Sequence, residues 1–280
     1  MNLTNKVFVP MKKTLLVSLI LASFGCFAVQ AQSTSGNGGS SNGDWTGSGE
    51  LGFASTTGNT RSQNLDAKLG LNQENAQWKN SFFLDALRSK TQVKVQQADG
   101  SYSRKYDTTA NRYDGGASVG YKLDPRSYIV GAGRYEHDDF GANTWQAIVS
   151  IGYGYIALKT QRTELSFEIG PGFKEYQPAD TTITVNGVSQ PYTQGRQKEA
   201  VARGLVNYKY RLTSSTTFDN TFLMEAGSKD KYFQDDAGVA VSMTKKLSLK
   251  VGYEVRHHST VLPGVKKTDT LATTNIVYNL

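Results

Sequence analysis

Cysteine and long apolar runs are nearly absent from this sequence, and each shortage excludes a class of protein. Cys26 is the only cysteine in 280 residues, so neither an internal disulfide nor a thiolate metal site is available. A lipid anchor on Cys26 is one interpretation, but bulky Phe24 makes the preceding SFG a poor lipidation sequence. After residue 31 no apolar stretch reaches the ~18 residues of a membrane-spanning helix, which excludes a helical membrane protein. Apolar residues at helical spacing are also missing there, so we expect little α-helix.

The N-terminal segment has the features of a secretory signal peptide. Two lysines precede the apolar run TLLVSLILASFGCFAV, and VQA, which ends at Ala31, offers small residues for cleavage. We expect residues 1–31 to be removed, with translation starting at Met1 or at Met11. Residues 32–43 are rich in Gly, Ser and Asn and are predicted to form a short flexible linker.

The charge balance gives no indication of nucleic-acid binding. The formal net charge is +7, and removing the signal segment with its three lysines leaves 28 basic against 24 acidic residues. These charges are spread along the chain instead of forming a basic stripe. We therefore expect no nucleic-acid partner.

One glycine motif must be weighed as a nucleotide site. GSGELG, residues 47–52, spells G-x-G-x-x-G, which in dinucleotide-binding proteins lies between a strand and a helix whose first amides bind phosphate. Here the motif follows the linker and leads into the turn sequence FASTTGNT, so that helix is missing. We predict no nucleotide partner and no cofactor.

From residue 44 to residue 280, apolar and polar residues alternate with the two-residue period of β-strands. In WTGSGELGF, Trp45, Leu51 and Phe53 share one face, whereas Glu50 lies on the other. Turn sequences divide the region into about twelve strands, many of about 10–15 residues. Long strands with one apolar and one charged face predict an all-β fold, an antiparallel transmembrane β-barrel over residues 44–280 with a hydrated lumen.

The connections between strands are predicted to alternate in length, as they do in outer-membrane barrels. Short turns are expected near residues 73–76, 122–127, 159–162, 212–215 and 244–246. The longest opposite connections are expected near residues 93–106, 177–196 and 259–267. This asymmetry predicts that the short turns face the periplasm and the long loops face the outside.

Aromatic residues are predicted to form two girdles at the levels of the lipid headgroups. The periplasmic girdle is expected to contain Trp78, Tyr121, Tyr128, Tyr155, Tyr208, Tyr210, Phe218 and Tyr278. The outer girdle is expected to contain Trp145, Phe173, Tyr232 and Tyr253.

Three stretches of the chain resemble a known family. WTGSGELGFASTTGNTRSQNLDAKLGL, RYDGGASVGYKLDPRSYIVGAGRYEHDDF and YGYIALKTQRTELSFEIGPGFK are similar to the YdiY-like salt-induced outer-membrane proteins, or domain of unknown function 481. The most specific motifs are G-x-x-x-T-x-G-N-T at Gly52–Thr60 and Y-x-L-x-x-R-x-Y at Tyr121–Tyr128. The likeness covers residues 44–280 and implies a Gram-negative outer-membrane location with no established activity. That location implies outer-membrane lipid, lipopolysaccharide and the barrel-assembly machinery as partners.

The last sequence segment, TLATTNIVYNL, reads as a strand with Ile276, Tyr278 and Leu280 on one face. We expect it to pair with the first strand and close the barrel. Leu280 departs from the terminal phenylalanine that is common in outer-membrane barrels, but it is apolar and in phase with the strand.

The face assignment predicts which charged side chains line the lumen. The acids expected there are Glu50, Asp66, Asp85, Asp114, Glu164, Glu168, Asp219, Glu225, Asp236 and Glu254. The bases expected there are Lys68, Arg112, Arg203, Lys209, Lys250 and Arg256. A barrel of about twelve strands is narrow enough for such side chains to meet across it. Two interpretations stay open: paired charges that fill and stiffen the barrel, or a narrow, weakly cation-preferring pore.

YEHDDF is a candidate cation site at the outer rim. It contains four residues of the right ligand types: Glu136, His137, Asp138 and Asp139. A charged, solvated loop tip explains the same sequence, and we predict no metal site.

RHHST places His258 beside Ser259 at the outer end of a strand, and some outer-membrane lipid hydrolases and deacylases use a serine–histidine pair. Adjacent strand residues point to opposite faces, however, and no separate acid is evident to orient the histidine. A lipid hydrolase is therefore the alternative, and a soluble binding barrel, which requires an apolar interior, is a third hypothesis. The leading prediction is a non-enzymatic outer-membrane barrel that stabilises the envelope or forms a narrow channel, with a salt-stress link implied only by the resemblance.

Overall fold

The computed structural model describes residues 43–56, 61–97, 100–185, 188–261 and 266–280, without the side chains of residues 56, 183–185 and 191. The predicted signal peptide and, except for Gly43, the predicted linker lie outside the described residues. Every regular element in the described ranges is a β-strand. None of the described residues belongs to a helix long and apolar enough to span a membrane.

Twelve strands form one closed antiparallel barrel, which confirms the predicted strand number. They are β1 (Trp45–Thr56), β2 (Ser62–Glu74), β3 (Trp78–Gln96), β4 (Tyr102–Lys122), β5 (Ser127–Asp138), β6 (Asn143–Lys159), β7 (Thr163–Pro178), β10 (Gln197–Arg211), β11 (Thr216–Gly227), β12 (Lys231–Ser242), β13 (Leu247–His258) and β14 (Thr268–Asn279). A separate hairpin, β8 (Thr181–Val185) and β9 (Val188–Tyr192), is inserted between β7 and β10, which pair with each other.

The first and last strands pair and close the barrel, as the sequence predicts. Along this seam Ser48 pairs with Asn279, and the register runs as far as Gly52 opposite Asn275. On its other side β1 pairs with β2 along its entire length. The ladder at the seam is therefore much shorter than the one beside it.

The outer face of the barrel is apolar, because alternate residues of each strand point outward. Trp45, Leu51 and Phe53 are all more than half exposed on β1. Two residues of the predicted periplasmic girdle contact each other on this face. The rings of Trp78 and Tyr121 lie edge to face with their centroids 5.3 Å apart.

Two residues predicted for the aromatic girdles point into the barrel instead. Tyr128 is 1% exposed and Tyr232 is fully buried, so neither can reach lipid headgroups. The first half of β5 has large apolar residues on both faces, with Ile129 outward and Val130 inward, so alternation did not mark the inner face there.

The short predicted turns are all confirmed, and each covers three or four residues between consecutive strands at one end of the barrel. Two of the long connections differ from the prediction. Most of residues 93–106 belongs to β3 and β4, which extend outward as a hairpin, and residues 177–196 contain the β8–β9 hairpin. Residues 93–106 contain two Val and two Tyr, and residues 177–196 contain four Thr and two Val, which are residue types that favour strands even where a loop is expected.

Candidate functional site

Thirteen of the sixteen residues predicted to line the lumen form ion pairs or hydrogen bonds with described residues. According to the residues that they contact, the predicted lumen residues fall into three groups, and three further residues belong to none of them. Asp85, Glu164 and Lys209 line a cavity without an ion pair among the described residues. The others are joined by hydrogen bonds or ion pairs, many of which cross the lumen.

The largest group, here called the arginine cluster, lies near the end of the barrel opposite the short turns. It consists of Arg112, Asp114, Arg134, Glu136, Glu225, Glu254 and Arg256. Arg134 Nη1 lies 2.7 Å from Glu136 Oε2 and 3.2 Å from Asp114 Oδ2, while its Nη2 lies 3.2 Å from Glu225. All of these side chains except that of Arg112 are less than a tenth exposed.

Arg256 ties opposite walls of the barrel together. Its Nη1 lies 2.6 Å from Glu136 Oε1, and its Nε lies 2.7 Å from Glu254 Oε1. β13, which carries Arg256, and β5, which carries Glu136, are diametrically opposite in the strand order. Arg112 on β4 also reaches across, with its Nη2 2.7 Å from Glu254 Oε1. The cluster therefore crosses the whole lumen.

Two lysines extend the cluster. Lys68 Nζ lies 3.8 Å from Asp236 and 3.9 Å from Glu254, below the arginines. Lys174 is 1% exposed and lies above them, with Nζ 4.0 Å from Glu225 and 3.6 Å from Asp230. The Lys174 ammonium also faces the rings of Tyr176 and Tyr232. A buried charge without a partner destabilises a folded protein by several kcal/mol. Each of these charged groups is therefore stable inside the barrel only because its ion-pair partners are present.

Below the arginine cluster the barrel contains a cavity of about 760 Å³. Asp114 and Arg134 lie at its upper end, and Glu74 and Lys159 lie at the short-turn end of the barrel. The lining mixes charged, amide, hydroxyl and apolar side chains. It is therefore unlike the apolar interior that a soluble binding barrel requires.

The second interior group stiffens the wall of this cavity. The Tyr128 hydroxyl donates to Glu168 Oε1 at 2.9 Å and accepts from Lys79 Nζ at 3.1 Å. Arg203 Nη1 lies 3.2 Å from the other oxygen of Glu168. The ring of Tyr128 fits here because Gly154 has no side chain, since a Cβ at that position would overlap the ring.

The third group holds the inner face of the seam. Lys250 Nζ lies 3.1 Å from both Glu50 and Asp219. Asn275 is 1% exposed and its amide donates to Asp66 Oδ2 at 3.2 Å and to Glu50 Oε2 at 3.4 Å. These contacts join β1, β2, β11, β13 and β14 from inside.

Sequence reasoning missed Arg134 and Glu136, which are central to the arginine cluster. In GAGRYEHD the two charges share one strand face, and the intervening Tyr135 is outward and exposed. Because residues two positions apart in a strand lie on the same face, this spacing is the sequence feature that indicates a lumen position for both charges. Glu136 also belongs to the acidic sequence YEHDDF, which by itself indicates an exposed outer rim and so masks this signal.

The four candidate cation ligands of YEHDDF do not converge. Glu136 lies in the arginine cluster, whereas His137 stacks on Tyr113 and its Nε2 lies 2.9 Å from Asp139 Oδ1. Asp138 accepts a hydrogen bond from the backbone amide of Phe140 at 2.9 Å. Within the described ranges, no group of three or more His, Cys, Asp or Glu side chains is arranged to hold a metal ion.

The RHHST sequence has the acid that sequence reasoning did not find. Asp230, in the turn between β11 and β12, lies 2.7 Å from His258 Nδ1 and accepts a hydrogen bond from the Ser259 hydroxyl at 3.2 Å. Burial of Asp230 acts to raise its pKa, but the hydrogen bond and charge of His258, with Lys174 nearby, lower the pKa to about 2. In the part of the chain that the structure describes, no hydrogen bond joins Ser259 to His258. The serine hydroxyl thus donates to the acid that also contacts the imidazole.

A closed twelve-stranded barrel with an apolar outer face and a charged interior is the architecture of a transmembrane β-barrel. The chain belongs to the family described as "Protein of unknown function, DUF481", whose model matches residues 49–280. The match confirms the resemblance seen in the sequence motifs.

Several solved structures are similar to the chain at low sequence identity. The NanC porin is 11% identical, with 84% of this chain and 97% of that chain covered and a TM-score of 0.41. The translocator domain of the autotransporter NalP from Neisseria meningitidis is 10% identical, with 84% and 87% covered and a TM-score of 0.45. An outer membrane channel from Pseudomonas putida F1 is 9% identical, with 85% and 96% covered and a TM-score of 0.44. None of the curated protein sequences matches the chain.

Proposed function

We propose that the protein is a non-enzymatic β-barrel of the Gram-negative outer membrane that forms a narrow channel, closed at rest by the arginine cluster. The observation that carries the proposal is the contact of Arg256 with Glu136, which joins diametrically opposite strands across the lumen. The cavity below the cluster then opens toward the periplasm as a blind vestibule. Solutes pass only when the cluster separates.

The outer face supports the location in a membrane. Large apolar side chains such as Leu51, Ile169 and Val251 are more than half exposed on three different strands. Leaving such a face in water is costly, whereas lipid accepts it, and the closed sheet leaves no strand edge over most of its height. Short turns at one end and longer connections at the other support the orientation with the turns in the periplasm.

Conductance of the purified protein in a planar bilayer tests the closed state. We expect the wild type to give a small, rarely open conductance. The double variant Arg134→Ala/Arg256→Ala leaves Asp114, Glu136 and Glu225 without an arginine partner, and we expect it to raise the mean conductance at least about fivefold as water enters the cluster. Arg126→Ala/Arg162→Ala, which removes two exposed arginines at the short turns, is the matched control.

Arg134→Lys/Arg256→Lys keeps the charge but loses the two-pronged geometry of guanidinium, so an intermediate conductance is expected. Heat-modifiable migration on a gel verifies that each variant has folded as a barrel. A wild type that is permanently open with the same conductance as the alanine double variant would contradict the closed channel. A protein recovered only from the soluble periplasm would contradict the membrane location itself.

The lipid-hydrolase alternative has weaker support, because Ser259 contacts Asp230 instead of His258. Release of fatty acid from phospholipid by the wild type, lost in both Ser259→Ala and His258→Ala, would restore it. The link to salt stress is implied only by the family resemblance and stays a prediction.

A further inference from the structure

The β3–β4 hairpin extends beyond the ends of its neighbouring strands β2 and β5. The outer end of β2, Ser62, pairs with Thr91 of β3, and the outer end of β5, Asp138, pairs with Arg112 of β4. β3 continues to Gln96 and β4 begins at Tyr102. At about 3.3 Å per residue, β3 extends about 17 Å beyond its neighbour β2.

The outward face of this hairpin carries four basic side chains. Leu84 and Tyr113 are outward and nearly half exposed, in the apolar region of the wall. Above Leu84, alternation along β3 brings Arg88, Lys90 and Lys94 to the same face. Arg104 joins them from β4, since it lies directly opposite Lys94 in the register.

These four charges have no acidic partner on their own face in the described hairpin. Asp107 lies on the opposite face, where it pairs with Lys105 at 3.1 Å. Asp139, at the edge of the hairpin, accepts a hydrogen bond from Asn111 at 2.6 Å. Like charges placed directly opposite each other destabilise a strand pair, so Lys94 and Arg104 disfavour the isolated hairpin. A bound anion removes that cost.

The spacing of the charges indicates which kind of anion fits. Arg88 lies four residues above Leu84, about 13 Å along the strand, or about 9 Å along the membrane normal for a strand tilted by about 45°. Since the headgroup layer begins directly above the hydrocarbon and is about 5–8 Å thick, this rise brings Arg88 to the level of the headgroups when Leu84 lies in the upper hydrocarbon. Lys94 lies about 20 Å further along the strand. A phospholipid has its phosphate at one level only, whereas a glycolipid with phosphates on its anchor and on its sugars spans the range. Tyr102 and Tyr106, on the same face, suit stacking on sugar rings.

We propose that the outward face of the β3–β4 hairpin binds a phosphorylated glycolipid of the outer leaflet through Arg88, Lys90, Lys94 and Arg104. This inference rests on the proposed outer-membrane location and on the orientation with the short turns in the periplasm. The guanidinium and ammonium groups contact the phosphates, and the glycolipid neutralises the repulsion between Lys94 and Arg104.

Binding of a purified glycolipid to the full-length protein in detergent tests the proposal. The probe is a glycolipid phosphorylated on its lipid anchor and on its core sugars, measured by native mass spectrometry over a concentration series. Each basic residue near an anionic lipid contributes about fivefold in affinity, so we expect the variant with Arg88, Lys90, Lys94 and Arg104 all changed to Gln to bind at least about 100-fold more weakly.

The chain offers a matched control with the same loss of charge. Arg126, Arg162, Lys245 and Lys246 are exposed at the short turns, and changing all four to Gln is expected to leave the affinity within about twofold. Lys105→Gln, on the opposite face of the hairpin, is likewise expected to have no effect. Enzymatic removal of the phosphates from the glycolipid is expected to reduce wild-type binding as much as the hairpin variant does.

Three results would overturn the proposal. They are wild-type binding that is unchanged when the glycolipid loses its phosphates, hairpin-variant binding equal to that of the wild type, and competition by inorganic phosphate or phosphatidylglycerol as strong as that of the glycolipid. Heat-modifiable migration and membrane fractionation of the same samples report separately on the barrel. Loss of glycolipid binding with an intact membrane barrel contradicts only this inference, whereas a non-membrane protein contradicts the proposed function.

Discussion

At the scale of single residues, the interior depends on exact fits that hydropathy does not reveal. Tyr128 was expected on the outer face but is buried, where its hydroxyl contacts Lys79 and Glu168. Its ring occupies the space that a side chain at position 154 would need. A tyrosine suits an aromatic girdle and a polar interior equally well, so residue type alone could not place it.

We expect Gly154→Val to displace the Tyr128 ring and lower the free energy of unfolding by about 1–3 kcal/mol. Urea titration of the protein in lipid vesicles, with the folded fraction read from the heat-modifiable gel band, measures the change. Gly131→Ala is the control, because a Cβ at position 131 meets no neighbouring atom. Equal urea midpoints for the wild type and Gly154→Val would mean that the ring does not depend on this glycine.

Asp230 is expected to make the outer turn sensitive to acid. Its pKa of about 2 is below the ordinary value, so its contribution is complete above pH ~4 and is lost as the pH falls from about 4 to about 2. Hydrogen exchange of the Thr260 amide, which donates to Asp230, reports on the turn. We expect a loss of about 1 kcal/mol of protection in Asp230→Asn at pH 6, after allowance for solvent screening.

The difference in protection of the Thr260 amide between Asp230→Asn and the wild type should shrink as the pH approaches 2. At that pH the wild-type carboxylate becomes protonated and, like the asparagine, carries no charge. Ser259→Ala, which keeps the carboxylate, should retain the pH dependence. A difference that is constant from pH 6 to pH 2 would show that the charge of Asp230 is not responsible.

At the scale of strands, the sequence was most informative where alternation was regular and one face was charged. The short turns, the outward face of β1 and the pairing of β1 with β14 were predicted correctly. The outer hairpins were not, because strand-favouring residues there continue beyond the apolar wall. GSGELG, which matches a nucleotide motif, is part of β1 and provides the seam with glycines.

Gly52 is predicted to be the glycine that matters most at the seam. A Cβ at position 52 would overlap the side chain of Asn275, which bonds to Glu50 and Asp66. We expect Gly52→Ala to lower the free energy of unfolding by about 1–2 kcal/mol, measured by urea titration in vesicles. Gly49→Ala, in the same motif but in open space, should leave the urea midpoint unchanged. The opposite ranking of the two variants would refute this account of the seam.

At the scale of the whole molecule, the barrel and the charged lumen could be predicted, but the closure of the lumen could not. Alternation assigns a side chain to a face without saying which opposite strand it meets. The contact of Arg256 with Glu136 depends on strand order, register and barrel width together. Two interpretations of the lumen were open for that reason, and the structure favours paired charges that fill the upper part above a cavity.

The uneven hydrogen-bonding of the wall has a mechanical consequence. Five residue pairs join β1 to β14, from Ser48–Asn279 to Gly52–Asn275, whereas β1 is joined to β2 by twelve. When a stretched membrane pulls the wall sideways, the load on each hydrogen bond is greatest where the bonds are fewest. We therefore expect the barrel to yield along this line first, so that lateral tension in the surrounding membrane acts on the protein at one fixed place.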